Sequence, residues 1–203
     1  PSLVGSEMCI RDREYRFVLV NGDQVISRID PYARHVTSSI GNAIITDPDA
    51  YDWEGDDFTA PTLNEMVIYE MHVGTFFDKD PDDDKPATLD TIEEKLDHLV
   101  HLGVNAIELM PLMEFAGDYS WGYNPAHIFA VESAYGGPEK LRDLVKVCHR
   151  HGLAVIIDVV YNHFGPSDLD LWQFDGWSEN DKGGIYFYCL LYTSDAADDT
   201  PCV

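Results

Sequence analysis

Basic residues are scarce in this chain. Thirteen Lys and Arg stand against thirty-seven Asp and Glu, so the formal net charge is −24 with His neutral. A surface of that sign repels phosphate backbones and anionic headgroups, which makes nucleic acid a poor partner and argues against docking on anionic membranes. Long apolar runs are missing too. None approaches the ~20 residues that span a bilayer, so no membrane partner is expected. Cysteine numbers only four. Cys9, Cys189 and Cys202 sit near the two ends, and only Cys148 lies inside a regular segment, where a free thiol packs as a small hydrophobe. The spacing of zinc ligands is absent, so no metal or other cofactor is expected and a reduced, cytoplasmic setting is favoured. No glycine-rich phosphate loop follows any apolar run, which weakens a dinucleotide-binding reading.

What is present suits a folded protein. The chain has 203 residues, 45% of them hydrophobic, 12% aromatic and 25% charged. That is enough to build a core. The ends look foreign to the rest. Residues 1–13 (PSLVGSEMCIRDR) fit neither strand nor helix period, and residues 189–203 (CLLYTSDAADDTPCV) break abruptly from the aromatic run before them. Both resemble translated adapter read-through, so residues 14–188 are expected to be the protein and the two tails artefacts.

Residues 14–62 read as a small all-β module. Tyr15, Phe17 and Leu19 alternate with Arg16, Val18 and Val20, Asn21-Gly22 supplies a hairpin turn, and Val25 and Ile29 continue the returning strand. Residues 47–61 are turn-rich and suit a linker. From residue 63 the rhythm changes to strand–helix–strand–helix–strand. The strands are expected at 67–73, 104–110 and 153–160. One helix is expected from an Asp90 cap to Gly103, and another from Pro138 to Gly152 with Leu141, Leu144, Val145 and Cys148 as its buried stripe. That order predicts an α/β fold with a parallel sheet, either open and doubly wound or closed as a TIM (β/α)₈ barrel. The connection over 111–137 is far longer than the usual ~2–6 residues, and long loops after strand ends are where barrel enzymes keep their sites. A complete barrel takes ~250 residues, so residues 63–188 supply about three of its eight units and the chain reads as a fragment with an exposed, aggregation-prone edge.

Two segments carry chemistry. In Asp158-Val-Val-Tyr-Asn162-His163, a carboxylate ends a buried apolar strand, a costly place unless it faces a polar pocket, and an amide and an imidazole follow on the rim. The plain alternative is an Asp capping a turn, with solvated neighbours. In Ser120-Trp-Gly-Tyr-Asn-Pro125, clustered aromatics beside Gly and Pro suit stacking on the apolar face of a sugar. There the alternative is a small loop-anchoring core, and it fits Trp121 better than Tyr123. Glu70, His72 and Glu108 read as structural strand residues. His98, His101, His149 and His151 read as solvated helix-end residues that complement the dipole.

The motifs together resemble the α-amylase family (family 13) of glycoside hydrolases. DVVYNH (158–163) is similar to the family's first signature region, GVNAIELMP (103–111) to its second strand, and WGYNP (121–125) to its loop tyrosine motif. VIYEMHVGTF (67–76) resembles the first barrel strand of branching enzymes and maltooligosyl-trehalose trehalohydrolases. DPYAR (30–34) and DPDAYDW (47–53) resemble the end of the β-sandwich that precedes it. The resemblance implies a partial N-terminal β-sandwich over 14–62 and the start of a catalytic barrel over 63–188. It implies an α-1,4-glucan or maltooligosaccharide substrate. Tyr123 would stack on the glucosyl ring before the cleaved bond, His163 would hydrogen-bond that sugar, and Asp158 would organise the catalytic groups. Asn162 matches a position that ligates calcium in many amylases, but branching enzymes commonly lack the ion, so no metal is assigned. The family's nucleophile and acid follow the fourth and fifth strands. Asp168, Asp170, Asp175 and Glu179 match neither, so no catalytic residue is assigned. The implied parent is a retaining α-glucan enzyme, most of all a 1,4-α-glucan branching enzyme. The alternatives are a maltooligosyl-trehalose trehalohydrolase or other amylase-type hydrolase, and a non-catalytic glucan-binding fragment.

Overall fold

A computed structural model describes residues 13–161, 164–165, 169–179 and 183–187. Both tails beyond Arg13 and Phe187 lie outside it, as do Asn162, His163 and Asp168. The N-terminal module holds β1 (Glu14–Tyr15), β2 (Phe17–Asn21), β3 (Gln24–Arg28) and β4 (Ala43–Ile44). β1 pairs antiparallel with β4, and β2 with β3. Asn21 faces Gln24 in register, so the two-residue turn is Gly22-Asp23, one position beyond the expected pair. Gly22 supplies the positive φ that such a turn demands.

This module is fastened to the far end of the described chain. Leu19 packs with Leu171, Phe174 and Phe187. Asp170 accepts from the Arg16 guanidinium at 2.5 Å and from the Ile29 amide at 2.6 Å. Arg28 donates to the carbonyls of Phe174 and Gln173, both at 3.0 Å. Asp170 is therefore occupied as an ion-pair partner across 154 residues of chain.

The linker, too, is held. Tyr51 donates to Asp143 at 2.6 Å, Glu54 pairs with Lys146 and Arg150, and Asp56 meets His149 Nδ1 at 2.5 Å while Phe58 stacks on that imidazole. His149 is thus a partnered residue, not the solvated one its position suggests. Acidic linker side chains gather where a helix C-terminus and its cations attract them.

The expected parallel sheet is present, with shorter strands. β5 (Ile68–Met71) is followed by α1 (Val73–Phe76), α2 (Leu89–Glu93) and α3 (Leu96–His101) before β6 (Ala106–Leu109). Val73 leaves the strand because His72 turns the chain. Thr75 donates through its amide to the His72 carbonyl and through its hydroxyl to the ring. The helix expected from Asp90 starts earlier, with Thr88 at its N-cap, and breaks between Glu93 and Leu96. Asp90 does not cap it; its carboxylate pairs with Lys140 at 3.0 Å. The 111–137 connection is partly regular, because β7 (Met113–Phe115) and β8 (Pro125–Val131) pair antiparallel inside it. A 3-10 turn over Ser133–Tyr135 then leads into α4 (Gly137–Arg150), which carries Pro in its first turn, and β9 (Ala154–Ile157) closes the sheet in the order β5-β6-β9.

Period-two alternation divides that sheet. Met71, Ile107, Leu109 and Val155 pack with Leu89, Ile92, Leu96 and Leu99 and with Leu144 and Cys148 of α4. The other face presents Glu70, Glu108 and Ile156, aligned side by side in register. Cys148 is free and fully buried, and burial pushes its thiol up to about 12, so it is inert packing. Among the described residues, no helix is long and apolar enough to cross a membrane.

Candidate functional site

The site lies at the C-terminal end of the sheet. Asp158 extends β9 by one ladder bond, its amide donating to the Leu109 carbonyl at 3.0 Å. The Tyr123 hydroxyl donates to Asp158 Oδ2 at 3.0 Å. Two residues 35 apart in sequence, each singled out by its own motif, are therefore joined. Tyr123 remains 41% exposed, so its ring has a face to offer. Burial, the bond to Asp158 and the charges of Asp158, Glu70 and Glu108 all raise its phenol pKa, so it stays a neutral donor at physiological pH. Glu70 and Glu108 thus face the same mouth as Tyr123, on the inward side of the strand alternation. Their even strand positions were the available signal.

The loop that carries Tyr123 is built on backbone geometry. Gly122 has φ +88°, and a Cβ there would lie 2.1 Å from the Pro111 carbonyl oxygen. Its amide donates to the Ser120 hydroxyl at 3.0 Å, and that hydroxyl bonds the Asn124 side chain. These contacts anchor the loop. Trp121 does not, being 72% exposed, so the small-core reading of that residue is corrected.

Behind the loop, His72 Nε2 meets the Ser120 carbonyl at 2.8 Å and the Tyr135 hydroxyl at 3.0 Å, while Nδ1 meets Thr75 Oγ1 at 3.0 Å. A carbonyl can only accept, so the proton is assigned to Nε2 and the Thr75 hydroxyl donates to Nδ1. Deeper still, Glu114 and Glu132 are both buried. Glu114 accepts from the Ser133 amide at 2.7 Å and hydroxyl at 3.1 Å, and Glu132 from the amides of Phe115 at 3.0 Å and Ala134 at 2.9 Å. Burial, with the charges of Glu132 and Asp118 added, pushes Glu114 up to about 8, and burial, with the charge of Asp118 added, pushes Glu132 up to about 7. Nothing in the sequence marks this pair beyond two acidic residues, Glu114 on β7 and Glu132 just after β8.

Chemically, an exposed phenol ring pinned to a carboxylate, with two further carboxylates beside it, can stack on a sugar and accept from its hydroxyls. Asn162 and His163, expected on the same rim, lie outside the described residues. No group of three or more His, Cys, Asp or Glu among the described residues could hold a metal.

Residues 72–186 match the model of the alpha amylase catalytic domain. The chain is 39% identical over 153 residues to the malto-oligosyltrehalose trehalohydrolase of Saccharolobus solfataricus, covering 75% of this chain and 25% of that protein. Identity to the Arthrobacter ramosus trehalohydrolase is 47% over 128 residues, or 63% of this chain and 21% of that one. The 1,4-alpha-glucan branching enzyme of Pseudoalteromonas atlantica is 32% identical over 177 residues, 80% of this chain and 24% of its own. Among solved structures, a Salmonella typhimurium protein assigned to the alpha amylases superposes with a TM-score of 0.69 at 36% identity, over 78% of this chain and 26% of that one. The Group B Streptococcus pullulanase SAP in complex with maltotetraose gives 0.63 at 25% identity, over 83% and 29%. The chain spans about a quarter of the length of the curated relatives it matches. With a matched catalytic-domain model over more than half its length, the chain belongs to the α-amylase family of glycoside hydrolases, and its fold is of that family's TIM-barrel type.

Proposed function

We propose that this chain carries the glucan-binding rim of a maltooligosyl-trehalose trehalohydrolase. The observation that carries the reading is the Tyr123–Asp158 bond, which sets an aromatic platform and a carboxylate together at the sheet's C-terminal mouth. Identities of 39% and 47% to trehalohydrolases, against 32% to a branching enzyme, favour the hydrolase over the branching reading. In this proposal β5, β6 and β9 are the first three strands of a (β/α)₈ barrel over 63–188, and residues 14–62 end a preceding β-sandwich. Tyr123 stacks on the apolar face of a glucosyl ring, and its hydroxyl stays on Asp158. Asp158, Asn162 and His163 are assigned to substrate binding, with Asp158 holding neighbouring groups in place rather than exchanging protons with substrate. No residue of this chain is assigned as nucleophile or acid, so the 203-residue chain alone is expected to release neither trehalose nor reducing ends from any glucan. A product assay by chromatography checks this, and measurable turnover would refute it.

The whole reading is tested with the complete protein that contains this segment, incubated separately with a maltooligosyl trehalose and with amylose. Trehalose release from the first, without new α-1,6 branches in the second, is the expected result. Branch formation without trehalose release would return the assignment to the branching enzymes.

A further inference from the structure

One carbonyl ties the Tyr123 loop to the body of the fold. Ser120 lies between β7 and β8, outside their ladder, and its carbonyl accepts from His72 Nε2 at 2.8 Å and, at longer range, from the Tyr135 hydroxyl at 3.5 Å. That hydroxyl and Nε2 are themselves 3.0 Å apart, so the three groups form a closed triangle. His72 enters it from the end of β5, Tyr135 from the 3-10 turn before α4, and Ser120 from the loop. We infer that His72 is a positioning residue for Tyr123: its Nε2–H fixes the Ser120 carbonyl, and through Ser120 it sets the ring that meets the substrate. This deepens the glucan reading proposed above and rests on it.

The imidazole is itself held in one orientation. The Thr75 hydroxyl donates to Nδ1 at 3.0 Å, which leaves the proton on Nε2, where it faces the carbonyl. Tyr135 is fully buried and sits edge-on to both the His72 ring, at 6.1 Å and 80°, and Phe115, at 5.8 Å and 73°. Gly74 leaves no slack, since a Cβ there would lie 3.1 Å from both His72 Cε1 and the Tyr135 hydroxyl oxygen. On the loop side, the Ser120 hydroxyl accepts from the Gly122 amide at 3.0 Å and bonds the Asn124 side chain. Gly122 and Asn124 are the two neighbours of Tyr123. The bond to Asp158 therefore pins the tip of the Tyr123 ring, while Ser120, held by His72, pins the backbone beneath it. A ring ordered before substrate arrives avoids the cost of ordering it on binding, so the effect of His72 is read in affinity.

The test uses the 203-residue chain, titrated with maltotetraose, with amide hydrogen exchange followed over residues 119–124 and over α4 as an internal reference. His72→Leu fills the space without a donor. It is expected to weaken maltotetraose about tenfold, equivalent to ~1.4 kcal/mol, and to speed exchange in 119–124 while α4 stays as protected as in the parent. His72→Gln, whose amide N–H can reach the same carbonyl, should bring affinity back to within about twofold of the parent. Thr75→Val, at an exposed position, keeps the shape but loses the donor to Nδ1, and should weaken binding about threefold even if His72→Leu does not fold. Equal loss in His72→Leu and His72→Gln, or faster exchange spread evenly over α4 as well, would make His72 a general support of the fold and overturn the inference. Unchanged affinity in both His72→Leu and Thr75→Val would overturn it too. An unsubstituted chain that binds no maltotetraose would overturn the glucan reading instead, and the exchange pattern would still decide whether His72 holds the loop.

Discussion

Between pH 6.5 and pH 9 the folded chain is expected to lose stability, and Glu114→Gln is expected to remove most of that loss. The cause is the buried pair Glu114 and Glu132, whose carboxyls are held up to about 8 and about 7. A carboxyl raised in the folded state binds its proton more tightly there than in the unfolded chain. Its contribution is therefore fully present below the unfolded value, near 4.5, and is lost as pH rises through the folded one. From pH 6.5 to about 8 that amounts to roughly 2 kcal/mol for Glu114. His127 is buried and its pKa lowered, so it destabilises the fold only as pH falls below its ordinary value of 6.5. Glu54 and Asp56, lowered by Lys146 and His149, act at still lower pH, and Cys148 only above the window.

Gln at 114 keeps an acceptor for the Ser133 amide and turns its NH₂ to the Ser133 hydroxyl, which can accept. Denaturant melts across the window should give the parent a falling midpoint and the variant a nearly flat one. Parallel slopes for the two would contradict the buried-pair account, and Glu132→Gln provides an independent second variant.

The second large effect is expected at Gly122. Ala there places its Cβ 2.1 Å from the Pro111 carbonyl oxygen and also forces a φ of +88° that side chains resist. The carbonyl is backbone at the end of the sheet, so the loop must move, taking Tyr123 from Asp158. Maltotetraose affinity should fall more than tenfold, or upward of ~1.4 kcal/mol. Gly117 separates the two causes. Its φ is +76°, but a Cβ there meets nothing within 4 Å. Gly117→Ala thus imposes the same kind of backbone strain without the collision and should retain binding. Equal loss in both variants would make strain the cause and leave the Pro111 contact without consequence.

Much of this architecture was legible in residue patterns. The helical spacing of Leu141, Leu144 and Cys148, the Pro near 138 and the Gly at 152 located α4 closely, because period and caps act locally. The apolar runs located β5, β6 and β9 for the same reason, though each ladder proved shorter than its run. The β7–β8 pair inside 111–137 was not legible. It depends on burying Glu114, Glu132 and His127, residues whose side chains argue for solvent until distant partners are known. His127 is held by the Ser39 carbonyl at 3.0 Å, 88 residues away. Likewise Asp170 looked like any loop carboxylate, and only the fold brings Arg16 to it. At the site, Tyr123 and Asp158 each stood out by motif, but their contact is a product of the fold. The strand alternation of Glu70 and Glu108 was readable, but which face meets the site, and the exposure of Trp121, emerged only with the sheet's facing and the loop's anchoring.

The central claim is that Tyr123, pinned by Asp158, is a glucan platform. Its most direct test is a calorimetric titration of the chain with maltotetraose, alongside Tyr123→Phe and Tyr123→Ala. Saturable binding by the parent, modest weakening in Phe, which keeps the ring but loses the bond to Asp158, and loss in Ala are the predicted results. A parent that does not bind, or an Ala variant that binds as well as the parent, would contradict it.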